Sequence, residues 1–138
     1  MIEQGRLISR SCTTSWLDWI HGELWVTPTA VVRSRLSLGA TRRNGRASTP
    51  TVPTPAWLTD VPPHLSPDLL LSRHRTNRHI LLSEVAVAAL RPGVLNDRLS
   101  VTLRDSRPFT LLWLSVDPAF AILRDTLAST PSARFVVE

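Results

Sequence analysis

The most regular stretch of the chain is Arg98-Leu99-Ser100-Val101-Thr102-Leu103-Arg104, where polar and apolar residues alternate without a break. A period of two belongs to a half-buried strand, with Leu99, Val101 and Leu103 inward and Arg98, Ser100, Thr102 and Arg104 outward. Asp105-Ser106-Arg107-Pro108 is turn chemistry and Phe109 to Leu114 is a second apolar run, so the pair predicts an antiparallel hairpin. The period then changes. Phe120, Leu123 and Leu127, widened by Ile122, form one stripe at helical spacing. Asp117 suits the N-cap, Pro118 the first helical position, and Pro131 ends the helix by Thr130.

Upstream, Glu23 to Thr27 and Ala30 to Leu38 flank a tight turn at Pro28-Thr29. In the second of these, Val32, Ser34, Leu36 and Leu38 share one face, and Arg33, Arg35 and Ser37 the other. Arg78 to Ser83 and Val85 to Arg91 read as further strands, although the alanines leave a helix over Glu84 to Leu90 open. Between the halves, residues 39–77 carry eight Pro and Gly residues and many Ser and Thr, the composition of a long loop. Trp57-Leu58 and Leu69 to Leu71 are its apolar islands.

The order of elements and three short motifs resemble the GRAM and bacterial pleckstrin-homology-like (PH-like) domains. His21-Gly22-Glu23-Leu24-Trp25-Val26-Thr27 is similar to that family's glycine-led second strand. Ile80 to Val85 is similar to its "I-x-L-x-(D/E)-I" segment, and Leu99 to Ser106 to its strand and Asp-Gly turn, here Asp105-Ser106. The resemblance implies a mainly β fold: a seven-stranded, partly open barrel of two antiparallel sheets capped by one C-terminal helix. It places the first strand at Cys12 to Ile20. Residues 1–11 would be an N-terminal extension, 12–130 a single domain with a long Pro-rich insertion at 39–77, and 131–138 a tail.

Length and composition fit one domain: 138 residues with 43% hydrophobic character support one core. No run reaches the roughly 18 apolar residues of a membrane span, the N-terminus has no signal-like apolar segment, and Cys12 has no disulfide partner. The expected location is cytoplasmic, with peripheral membrane attachment as an option. All sixteen basic residues are arginine and the net charge is +5, which favours anionic partners.

No acidic residue occurs from Leu24 through Thr59, so Arg33, Arg35, Arg42, Arg43 and Arg46 form an uncompensated set. In PH-like domains the equivalent region meets lipid headgroups, and arginine's planar fork suits phosphate. Arg73, Arg75 and Arg78, interleaved with His74 and His79, make a second basic group; the five-residue histidine spacing does not suggest a metal. No phosphate loop, Cys-x-x-Cys pair or nucleophile elbow is present, and nothing brings Cys12 and His21 together. Asp97 and Asp105 sit in turns. The expectation is therefore a non-enzymatic module, without cofactor, that docks an anionic phospholipid surface or an acidic protein. The alternative is an assembly module, possible as a homo-oligomer, using Trp57, Leu58 or the tail Phe135, Val136 and Val137. Nucleic-acid binding comes third: the five tryptophans could stack on bases, but four lie in expected strands.

Overall fold

The alternating stretch forms an eight-residue strand, and its inward and outward faces are those its pattern predicts. In the computed structural model, which describes residues 5–15, 21–35 and 76–138, the strands in chain order are β1 (Arg6–Cys12), β2 (Gly22–Val26), β3 (Ala30–Arg35) and β4 (Arg78–Leu81). A 3-10 turn (Leu82–Glu84) leads to β5 (Val85–Arg91), β6 (Asn96–Leu103) and β7 (Pro108–Leu114). The helix α1 (Ala119–Ala128) and β8 (Arg134–Val137) follow.

Leu99, Val101 and Leu103 are buried on β6, which pairs antiparallel with β7 in the register Leu99↔Leu111 and Val101↔Phe109. At the turn, Ser106 N donates to Leu103 O at 2.9 Å and Leu103 N to Arg107 O at 2.9 Å. Ser106 adopts φ 72°, the left-handed position that closes a three-residue hairpin loop and favours glycine. Asp105 accepts the backbone N–H of Arg107 at 3.1 Å and its guanidinium at 2.7 Å. The β2–β3 turn closes at Pro28-Thr29, as its sequence predicts. Thr27 N donates to Ala30 O at 2.9 Å, and the Thr27 hydroxyl accepts Ala30 N at 2.9 Å.

The helix alternative over Glu84 to Leu90 loses. β5 pairs antiparallel with β6 from Val85↔Leu103 to Arg91↔Arg98, and beyond an irregularity near Val85–Val87 it alternates, with Ala88 and Leu90 buried. Helical spacing could not place those two residues on one sheet face.

The eight strands form two four-stranded sheets, ordered β1-β2-β3-β4 and β7-β6-β5-β8. A bridge between Thr13 and Leu112 ties the β1 side of one sheet to β7 of the other, but the sheets do not close into a barrel. Ile8, Leu24, Val26, Val31 and Ile80 from the first sheet meet Leu90, Leu99, Leu111 and Trp113 from the second. Ala119, Leu123 and Leu127 of α1 close this core, with Phe120 and Ile122 at its margin. The first sheet is also buried on its other face, where Leu7, Trp25, Ala30 and Val32 form a second cluster. No helix among the described residues is long and apolar enough to cross a membrane.

Three sequence expectations need correction. The first strand is Arg6–Cys12, within what reads as an extension; residues 16–20 of the stretch expected to form it lie outside the described residues. Its polar residues mislead because Ser9 and Ser11 are buried, both donating to Asp117, at 2.8 and 2.5 Å. That carboxylate therefore does not cap α1. The cap position is Pro118, without a side-chain hydrogen bond. Finally, the tail is a strand, parallel to β5 in the register Val87↔Arg134 to Leu90↔Val137, so the helix is not the last element and the sheets are not wholly antiparallel. Phe135 packs against the main core, and Glu138 N donates to Leu90 O at 2.8 Å.

Candidate anion-docking site

Arg33, the first of the arginines singled out by sequence, is fully buried. Its Nε and Nη2 donate to Cys12 O at 3.3 and 3.1 Å. Nη1 donates to Thr76 O at 3.2 Å and to Thr76 Oγ1 at 2.7 Å. The expectation that Arg33 and Arg35 share a solvated face fails for Arg33, whose guanidinium joins β1, β3 and the start of β4 from within. Gly22 makes room for it: a Cβ there would lie 2.4 Å from Arg33 Nε and 2.9 Å from Cζ. The glycine that leads β2 is thus a packing requirement of a buried arginine.

Arg35 ends β3 with its side chain exposed, while its backbone N–H donates to Asn77 Oδ1 at 2.7 Å. Arg78 is half-buried on β4, donating to Asn77 O at 3.1 Å and lying 5.2 Å from the centre of the Phe109 ring. Arg42, Arg43, Arg46, Arg73, Arg75, His74, Trp57 and Leu58 lie outside the described residues. Phe135, Val136 and Val137 are on β8, the two valines exposed. Trp25 and Trp113 are buried, in the packing role expected of strand tryptophans.

A different basic group emerges at the end of the second sheet. Arg91 and Arg98 stand directly opposite each other on β5 and β6. Like charges in that position repel. Neither guanidinium has a hydrogen bond or ion pair among the described residues. The nearby carboxylate of Asp97 is buried and occupied: Oδ1 accepts Gly93 N at 3.1 Å and Ser115 Oγ at 2.9 Å. Glu138, exposed and hydrogen-bonded through its backbone to Leu90, also brings an acidic side chain to this end of β5.

Arg91 and Arg98 frame a cavity of about 370 Å³, with Leu112 and the Pro92–Asn96 segment as its other walls. That segment is held rigidly. A Cβ on Gly93 would lie 1.9 Å from Asn96 O, so only glycine fits. The single Ser115 hydroxyl proton is shared between Asp97 Oδ1 and Gly93 O, the latter at 3.1 Å, and Ser115 N donates to Leu95 O at 2.9 Å. In this loop Val94 and Leu95 are 97% and 76% exposed, and Val116, the residue after Ser115, is 65% exposed.

From the sequence, Arg91 ends an expected strand, and neither Arg91 nor Arg98 has a binding role. The available signal was two large apolar residues, Val94-Leu95, inside a turn flanked by arginines. The chain matches no family model and no curated protein.

Proposed function

We propose that this chain is a non-catalytic, PH-like binding module that docks an anionic surface through arginine side chains. The observation that carries the reading is the facing pair Arg91 and Arg98, two cations held together without a counter-ion among the described residues. A ligand carrying phosphate or carboxylate relieves their repulsion, and arginine offers it a planar pair of donors. Arg35 adds exposed charge at the end of β3. The mainly β architecture with its packed helix is compatible with the PH-like resemblance. Arg33 is excluded from the docking surface because its guanidinium is internal.

The test is binding to phosphatidylglycerol vesicles and to immobilised polyglutamate over a range of salt. Each arginine near an anionic membrane contributes about 1 kcal/mol, so Arg91→Gln with Arg98→Gln should lower vesicle binding by roughly tenfold or more and flatten its salt dependence. Arg124→Gln, on the helix beside Asp125, should bind as wild type does. Absence of salt-sensitive binding to both surfaces refutes the reading.

A second reading, self-assembly, rests on β8, a short edge strand exposing Val136 and Val137. Salt-insensitive oligomers in light scattering, abolished by Val136→Asp, would favour it.

A further inference from the structure

We propose that the β5–β6 loop is a membrane wedge: Val94 and Leu95 enter the apolar boundary of an anionic phospholipid bilayer while Arg91 and Arg98 hold the headgroups behind them. This rests on the anion-docking reading and names its partner. Val94 and Leu95 are the two most exposed large hydrophobic residues described, and they are neighbours in the loop between β5 and β6. An ordinary exposed apolar side chain needs no explanation. Here, however, the exposure is maintained by structure. Gly93 admits no side chain, Asp97 and Ser115 fasten the two ends of the loop, and the Leu95 carbonyl is held by Ser115 N.

Val116, also exposed, follows Ser115, whose N–H is bonded to Leu95 O, and the two arginines form the last described β5–β6 pair before the loop. Depth and chemistry therefore change together, apolar at the point and cationic behind it. The bilayer interface has the same order in reverse, with anionic headgroups outside and acyl chains within about 5–10 Å. An acidic protein would be met by the arginines but would leave the protruding tip in water. Asp97 and Asp117 are buried and turned inward to hydroxyl and amide donors, and Glu138 is exposed at this end of β5.

The experiment measures partition of the full chain onto phosphatidylcholine vesicles with and without phosphatidylglycerol. Wild type is compared with Val94→Ser plus Leu95→Ser, and a Val94→Cys variant carries an environment-sensitive dye; Cys12 is fully buried, which protects it from labelling. Because both tip side chains are exposed, the serine variant should keep the wild-type thermal transition. Its partition should fall by about tenfold or more with an unchanged salt slope, since the lost contribution is apolar. The dye should shift to the blue on phosphatidylglycerol vesicles and not on polyglutamate. Equal partition of the serine variant with no dye shift overturns the wedge, while salt-sensitive binding would leave the anion-docking reading intact. Failure of wild type to bind the vesicles also overturns the wedge; salt-sensitive binding to polyglutamate then preserves the broader reading, and no binding to either removes both.

Discussion

Arg33 carries its charge inside the fold. It sits on β3 among residues that are buried on both faces, and backbone carbonyls and a threonine hydroxyl take up its donors. A buried guanidinium is costly unless each such donor is met, so removing the surrounding fit should be expensive. Gly22→Ala should lower stability by about 2–3 kcal/mol in urea unfolding, because the new methyl meets the guanidinium and the Ser34 carbonyl oxygen. In an Arg33→Met background the same substitution should cost less by about 1 kcal/mol or more, a coupling that a double-mutant cycle reads directly. Ser106 presents the opposite case, a residue in a glycine position. Ser106→Gly should raise stability by about 0.5–1 kcal/mol, the relief of a left-handed φ less the added freedom of the unfolded chain.

Asp105, one residue earlier, should titrate below the ordinary aspartate range. The backbone N–H of Arg107 is the chief cause, desolvation opposes it, and the Arg107 guanidinium adds to the lowering. The folded value is depressed, so any contribution to stability is present above the unfolded value and disappears as pH falls through the folded one, below about pH 4. A carboxyl NMR titration should show the lowered midpoint, and Arg107→Ala should raise it.

At the scale of elements, the sequence discloses those whose burial is its own periodic pattern. β6 and α1 are legible because Leu99, Val101 and Leu103 repeat every two residues, and Leu123 and Leu127 every four. β1 is not, because Ser9 and Ser11 look like surface residues until Asp117, more than a hundred positions away, accepts both hydroxyls. The same long-range contact hides Asp117, whose local context describes a helix cap. The two roles make different predictions. A cap replaced by alanine costs about 1 kcal/mol. Asp117→Ala should instead cost about 2–4 kcal/mol in urea unfolding, since it strands two buried hydroxyls and opens the β1–α1 junction. The docking tip was hidden for a related reason: Val94-Leu95 gains meaning only when Asp97 and Ser115 fix the loop and β6 brings Arg98 opposite Arg91.

Across the whole molecule, two sheets share one core, and charge and apolar exposure gather at the far end of the second sheet. Arg91, Arg98, Val94, Leu95, Val116 and Val137 all belong to that end. The last described strand contributes to it and also covers β5. Truncation after Ala133 should remove the Phe135 packing and uncover the β5 edge, lowering the urea midpoint by an amount equivalent to about 2–4 kcal/mol. Light scattering should show that this variant associates at lower concentrations than the intact chain.

The parallel pairing of β8 with β5 also sets an order of events. Val87 and its neighbours can find β6 as soon as the next turn forms, but their other side must wait until β6, β7 and α1 have been synthesised. Through that interval the half-made domain presents a hydrogen-bonding edge, and crowded nascent chains compete with its own β8 for the place. Completion of this protein is therefore a race in time, with β8 needed to arrive before a neighbour does.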